Sequence, residues 1–233
     1  MAGKHDSAKQ AAALVAAEAI EDHMVVGLGT GSTASLALEE IARRIAQEGL
    51  SITGIATSYA SEILADRLSI PRRDLRDIAR IDLTLDGADE VDPHLQLIKG
   101  RGAAHTREKI VASLSDRLII LVDESKRVDR LGQHMPVPIE VVPMAVYPLM
   151  RKLDTLGAQS VLRMGQRKDG PVVTDQGLWI VDARFERIDD LYTLDRDLLL
   201  TPGVLDHGLF LNLATDVIVG HEDGSTTHLR RDA

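Results

Sequence analysis

Short apolar runs alternate with longer amphipathic stretches through the first half of the chain, and this alternation constrains the fold more than any other feature. Parallel strands need a crossover connection, and a helix is the usual one. Strands are expected at His23–Leu28, Ile52–Ala56, Ile81–Asp86, Leu95–Ile98 and Arg117–Asp123, with helices at Thr33–Gln47, Tyr59–Arg67 and Ala103–Leu114. In the helix from Thr33, Leu36, Ile41, Ala42 and Ile45 share one face, while Glu39, Glu40, Arg43 and Arg44 point largely outward.

Near Gly132 the rhythm changes. Pro136, Pro138, Pro143 and Pro148 crowd together, and Pro143 stands where a helix to about Leu156 can begin. Strand-like runs follow at Ala158–Met164, Pro171–Thr174 and Gly177–Asp182, joined by turns at Gly165–Gly170 and Asp175–Gly177. A helix at Asp189–Leu200 ends before Pro202, and the apolar run Asp216–Gly220 is placed to rejoin the first sheet. The expected fold class is therefore α/β: a parallel-sheet core of strand–helix units, 1–131 plus 208–233, with an inserted small α+β domain at 132–207.

Composition narrows the function. With 233 residues and 44% hydrophobic content the chain can bury a core, and no apolar run approaches the roughly 18 residues of a membrane helix. A net charge of −9 and six scattered aromatics argue against nucleic acid, which needs clustered cations and stacking platforms. With no cysteine, thiolate nucleophiles, disulfides and thiolate metal sites are all excluded. The eight histidines are dispersed, so the one metal site left open is an oxygen-ligand magnesium site. Lys4 and Lys9 before the alanine-rich run Ala11–Ala17 loosely suggest a leader peptide. An ordinary first helix, roughly Asp6 to Glu21, accounts for the same letters, and the expected location is cytoplasmic.

Four strand ends carry polar groups. Gly27-Leu28-Gly29-Thr30-Gly31-Ser32-Thr33 joins a strand to a helix, where glycines let a backbone approach an anion and the helix start offers unpaired N–H groups. The hydroxyls of Thr30, Ser32 and Thr33 add donors. A Walker loop lacks its lysine here, and a dinucleotide fingerprint lacks its third glycine and its acidic residue at Thr57-Ser58-Tyr59. A plain tight turn with Thr33 near the N-cap fits equally well. Asp86-Gly87-Ala88-Asp89-Glu90-Val91-Asp92 follows an apolar strand, so these carboxylates either face a ligand crevice and serve proton transfer or form a solvated acidic turn.

Lys99 ends the next strand, Gly100-Arg101-Gly102 make a turn, and Glu108 falls in the second turn of the helix after it. Lys99 can neutralise a phosphate or a developing oxyanion, and Glu108 points back towards the helix N-terminus. Asp123-Glu124-Ser125-Lys126 again puts a cation past a strand end. Each motif alone has a bland reading, but four successive strand ends carrying phosphate-holding and proton-moving groups favour a site.

Together these motifs closely resemble the A-type ribose-5-phosphate isomerase family. The later segments Pro138-Ile139-Glu140-Val141 and Gly208-Leu209-Phe210 are similar to further signatures of that family, in order, over nearly the whole chain. The resemblance implies interconversion of D-ribose 5-phosphate and D-ribulose 5-phosphate, an α/β core with a small insertion, a homodimer or higher homo-oligomer, and no required cofactor or metal. It matches Glu108 to the proton acceptor, with Asp86, Asp89 and Lys99 as further catalytic groups. Thr30, Gly31, Ser32 and Thr33, Asp86, Gly87, Ala88 and Asp89, Lys99, Gly100, Arg101 and Gly102, and Lys126 match substrate-binding segments, and Lys9 a phosphate-site lysine.

The chain departs from the family pattern at Arg101, where a third glycine is usual, and at His105, where an apolar residue is usual. Arg101 must keep an ordinary backbone conformation while Gly100 and Gly102 absorb the turn, or be held by a compensating contact. Two rival functions share the fold: a non-catalytic sugar-phosphate sensor, and a sugar-phosphate deaminase or lactonase. Sensors of this kind carry a DNA-binding module ahead of the fold, and about 22 residues before the first strand are too few for one. The Asp86–Glu90 and Lys99–Glu108 motifs together disfavour the other enzymes.

Overall fold

A computed structural model describes residues 4–167 and 169–231. The expected core range therefore includes residues 1–3 and 232–233, and the expected 165–170 turn includes Lys168, which lie outside the described residues. In chain order the elements are α1 (Lys4–Ala17), β1 (Val25–Leu28), α2 (Ser32–Glu48), β2 (Thr53–Ala56), α3 (Tyr59–Arg67), β3 (Ile81–Gly87), β4 (Glu90–Val91), β5 (Leu97–Ile98), α4 (His105–Ser113) and β6 (Ser115–Asp123). They continue with β7 (Val137–Val141), α5 (Val146–Thr155), β8 (Ala158–Leu162), β9 (Trp179–Phe185), α6 (Leu191–Leu199), β10 (Val204–His207), β11 (Leu209–Phe210), β12 (Asp216–Gly220) and β13 (Thr226–Arg230). No helix among the described residues is long and apolar enough to cross a membrane.

The chain forms two compact units, one of residues 1–88, 107–127 and 212–233 and the other of 89–106 and 128–211. These differ from the expected ranges chiefly at 89–106, which groups with the second unit. Sequence order hides this, because the segment lies between strands of the first sheet and its own strands β4 and β5 are two residues each.

The first unit holds a six-stranded sheet in the order β13-β12-β6-β3-β1-β2, parallel except for β13. The fold is α/β, and β12 rejoins the sheet beside β6 as its apolar run suggests. From β1 the chain moves outward to β2, then returns to β3 on the other side, so the connection reverses between β1 and β3. In open α/β sheets, ligands bind past the strand ends at such a reversal. Close strand contact explains Gly27, where a Cβ would come 1.9 Å from Thr84 Oγ1.

One face of the sheet is covered by α1 and α2. Leu28, Leu38, Ile41, Leu83 and Leu85 are buried there, each stabilising the fold by about 1.5–3 kcal/mol. The alanines of α1 (Ala12, Ala13, Ala16 and Ala17) are buried in the same cluster, so the letters that loosely suggested a leader form a core helix. Small side chains let α1 lie close to the sheet: a Cβ on Gly220 would sit 1.8 Å from the Ala8 carbonyl oxygen.

The second unit contains an antiparallel sheet, β10-β7-β9-β8, and a small one, β11-β5-β4. Val137, Ile139 and Val141 of β7 pack with Leu149 and Leu153 of α5 and Leu198 of α6. Sequence reading finds no strand at β7, because Pro136 and Pro138 count against a ladder position. Pro138 is tolerated beyond the residues that β10 pairs, which are Ile139, Glu140 and Val141.

Candidate functional site

In the first unit, the carboxyl ends of adjacent strands gather most of the expected binding residues. The backbone N–H of Thr30 donates to Asp86 Oδ1 at 3.0 Å, and the N–H of Gly87 donates to the same oxygen at 2.8 Å. Asp86 is buried, 1% exposed, at the end of β3. Gly29 permits this approach, since a Cβ there would lie 2.6 Å from Asp86 Cα. Gly31, with φ of 101°, caps α2 without any side-chain bond, so the N-cap is Gly31 and not Thr33. The helix start therefore keeps its unpaired N–H groups and positive dipole end, the arrangement that receives a phosphate.

The Thr30 hydroxyl is engaged within the unit. It donates to Ser58 Oγ at 2.7 Å and lies 2.8 Å from Thr57 Oγ1. Thr57 and Ser58 thus brace the loop, with Ser58 also capping α3 in a reciprocal box with Ser61. The expectation of three donor hydroxyls is corrected accordingly: Ser32 and Thr33 stand apart from this bracing network, and Thr30 belongs to it.

Two lysines lie on segments at the same sheet end. Asp123 closes β6 and caps the short turn Glu124–Lys126, accepting the Ser125 N–H at 3.0 Å. Gly220, the register partner of Asp123, is where the first turns of α1 cross the sheet at Ala8, beside Lys9. Lys9 and Lys126 are half-buried.

Glu108 is buried, 5% exposed, in the first turn of α4. The sequence, with a helix from Ala103, places it one turn later. The helix begins at His105 because Ala103 adopts a left-handed conformation, φ 58°, which ends any earlier start.

In the second unit the acidic segment divides its duties. Glu90 accepts N–H groups from Gly132, His134 and Met135 at 2.6–2.7 Å, and Asp92 accepts those of His94 and Gln96 at 2.9 and 2.8 Å. Both anchor loops. Asp89 instead accepts the Arg101 N–H at 2.9 Å, which ties it to the turn after Lys99. Lys99 is buried, its Nζ 5.5 Å from the centre of the Phe210 ring. Gly208 permits the strand contact behind it, since a Cβ there would meet the Lys99 carbonyl oxygen at 2.1 Å.

The turn at 100–103 resolves the first departure. Gly100 has φ 106°, Arg101 has no positive φ and is exposed, and the second left-handed residue is Ala103, not Gly102. His105, the second departure, is fully buried against this turn; a Cβ on Gly100 would come 2.7 Å from its Nδ1.

Two braces of this turn and of the start of α4 escape sequence reading. Arg163 Nη1 donates to the carbonyls of Gly100 at 2.9 Å and Arg101 at 3.1 Å, while its other nitrogens pair with Asp182. Glu140, fully buried on β7, accepts hydroxyls from Thr106 and Thr174. Burial pushes its carboxyl above the ordinary value despite those bonds, and the Asp206 and Asp175 carboxylates add to the rise. The Glu140 signature was visible, but not its partner. Among the described residues, no three His, Asp or Glu side chains gather as a metal site would require.

The family model for ribose 5-phosphate isomerase A (phosphoriboisomerase A) matches residues 53–224. Ribose-5-phosphate isomerase A of Pyrococcus abyssi is 49% identical over 94% of this chain and 96% of that protein. The Thermosynechococcus vestitus protein of the same name is 48% identical over 91% of this chain and 90% of its own length. Among solved structures, ribose 5-phosphate isomerase A from Methanocaldococcus jannaschii superposes with a TM-score of 0.93 at 41% identity, covering 97% of this chain and 99% of that one. A D-ribose-5-phosphate isomerase in complex with phospho-erythronic acid gives 0.95 at 46% identity, with the same coverage of each.

Proposed function

The chain belongs to the ribose 5-phosphate isomerase A family, and from that premise we propose that it interconverts D-ribose 5-phosphate and D-ribulose 5-phosphate with Glu108 as the base. After ring opening, Glu108 removes the proton from C2 of the aldose. The C2–H electron pair forms the C1–C2 double bond of an enediolate, and the carbonyl pair moves onto O1. The O2 proton then passes to O1, the O2–H pair forms the C2=O2 bond, and the C1–C2 double-bond pair takes the proton back from Glu108 at C1, which gives the ketose. Lys99 stabilises the charge that develops on oxygen, an interaction stronger in the transition state than in the ground state. Asp86 and Asp89 hydrogen-bond the sugar oxygens and assist ring opening.

The phosphate is assigned to the start of α2, with Gly31, Ser32 and Thr33, and to Lys9 and Lys126. Thr30 contributes through its backbone and the Thr57–Ser58 brace. Gly87, Ala88, Gly100 and Gly102 shape the backbone near the sugar, and the Arg101 N–H holds Asp89. The single observation that carries the base assignment is a carboxylate 5% exposed in the first turn of a helix whose second residue, Thr106, is held by buried Glu140.

A phosphorylated sugar acid bound to a relative is of the same chemical class as this substrate. The sensor, deaminase and lactonase readings have no such support. A cytoplasmic location and a homodimer or larger homo-oligomer complete the reading, and gel filtration tests the latter. The decisive assay follows ribulose 5-phosphate formation from ribose 5-phosphate in EDTA. Turnover there supports the metal-free reading, and its absence in any buffer overturns the isomerase assignment.

A further inference from the structure

A cavity in the first unit lies outside every group assigned to the isomerase reaction. It is about 320 Å³, bounded by α3, the 72–75 segment and α4, and lined by Tyr59, Arg72, Arg73, Leu75, Arg107 and Ile110 among others. That volume suits a small metabolite. In a chain of net charge −9, the convergence of three arginines on one cavity is the feature that needs a reason.

Glu62 and Asp74 also line the cavity, but the carboxylates there do not neutralise all three arginines. Glu62 and Asp66 both pair with Arg72, at 2.8 and 2.6 Å. Asp74 pairs with Arg76 at 3.0 Å, and Arg107 lies 3.8 Å from the already engaged Glu62. Arg73 makes no ion pair among the described residues and is exposed. Its backbone is nonetheless fixed, since its N–H donates to the carbonyl of Gly54 in β2 at 3.0 Å.

The apolar side of the cavity is equally distinctive. The Arg107 guanidinium carbon stands 4.7 Å from the centre of the Tyr59 ring, and Tyr59 is 53% and Ile110 46% exposed. Behind them, Leu75 packs against Ile55 and Val111. Cationic groups and an exposed aromatic wall therefore share one concavity, a pairing that matches an anion attached to a flat apolar body.

We propose that this cavity binds a small aryl phosphate, its phosphate held by Arg73 and Arg107 and its ring lying on Tyr59 and Ile110. The proposal is independent of the catalytic assignment, because it uses no residue given a role in isomerisation. The test is isothermal titration of the full chain with phenyl phosphate while ribose 5-phosphate, equilibrated with its ketose, saturates the isomerase site. The expected result is one remaining site per chain that Arg73→Ala weakens about tenfold. Tyr59→Ala weakens phenyl phosphate there more than inorganic phosphate. Sedimentation at matched concentrations keeps a second possibility in view: Arg73→Ala must leave the association state unchanged. Loss of all titration signal under saturating sugar phosphate overturns the proposal, as does equal affinity in the Arg73 variant. A changed association state also overturns it, since the cavity would then be an interface between copies. Because Arg73 is exposed, its variant folds, and loss of isomerase turnover would bear on the catalytic reading without touching this one.

Discussion

The backbone N–H of Arg101 donates to Oδ2 of Asp89 at 2.9 Å, so the residue that departs from the glycine pattern serves the proposed site through its main chain. Glycine at 101 would keep that donor. Arg101→Gly is therefore expected to leave kcat within about twofold of the parent. It should lower the melting temperature by a few degrees, because glycine loses roughly 0.5–1 kcal/mol more conformational entropy on folding. Steady-state kinetics at low ionic strength check this. A several-fold rise in KM that fades with added salt would instead place the guanidinium on the phosphate.

Glu108→Gln keeps shape and hydrogen bonding but removes the base. The expected fall in kcat is roughly 10²–10⁴-fold, with a modest change in KM. Exchange of the C2 proton with deuterated solvent reports the step directly. Exchange at the parent rate in the variant would remove Glu108 from the mechanism.

The two lysines should separate kinetically. Lys99, buried beside Phe210, is assigned to charge that develops during reaction, so Lys99→Ala is expected to lower kcat and raise KM together. Lys126 is half-buried on a turn at the sheet end, and Lys126→Ala should act mainly on KM. Parent kinetics in both variants would mean that the sugar phosphate binds elsewhere.

What the sequence conceals follows from distance along the chain. The first unit is legible because each strand end and its following turn are contiguous: Gly27 to Thr33, Ile81 to Asp86 and Asp123 to Lys126 all read locally. The supports of the second unit are not. Arg163 reaches Gly100 across 63 positions, and Thr106 meets Glu140 across 34, with no periodicity linking either pair. Strand β7 is masked by Pro138 within it and Pro136 just before it. Ala103 is hidden for another reason, because alanine, unlike glycine, Asn or Asp, carries no signal for a left-handed conformation.

Arg163 should behave as a positioning residue. Removing its guanidinium leaves the carbonyls of Gly100 and Arg101 without their donor and leaves half-buried Asp182 without its partner. Arg163→Ala is expected to destabilise by about 1–3 kcal/mol, the range for charge-assisted hydrogen bonds lost at a half-buried site. The double variant Arg163→Met, Asp182→Leu should recover much of that stability while kcat stays low, because the turn carbonyls remain unheld. Full recovery of kcat in the double variant would show that Arg163 serves stability alone.

Glu140 makes the stability of the chain depend on pH in an unusual direction for a carboxylate. Burial raises its folded-state value above the ordinary 4.5, so the folded chain holds this proton more tightly than the unfolded chain does. The stabilising contribution is therefore fully present below about pH 4.5 and is lost as pH rises through the raised folded value. Glu140→Gln cannot ionise. Its amide oxygen can accept one threonine hydroxyl while its N–H group donates to the other, so Thr106 and Thr174 keep partners after a hydroxyl rotation. The variant should therefore gain stability relative to the parent as pH is raised from about 4 to 8, whatever its offset at the acidic end. Melting temperatures of the two proteins across that range test this, and parallel curves would show that Glu140 does not titrate there. Because Thr106 lies in the first turn of α4 with Glu108, the same variant should also move the pH profile of kcat. A change in stability with an unmoved profile would confine Glu140 to holding the fold.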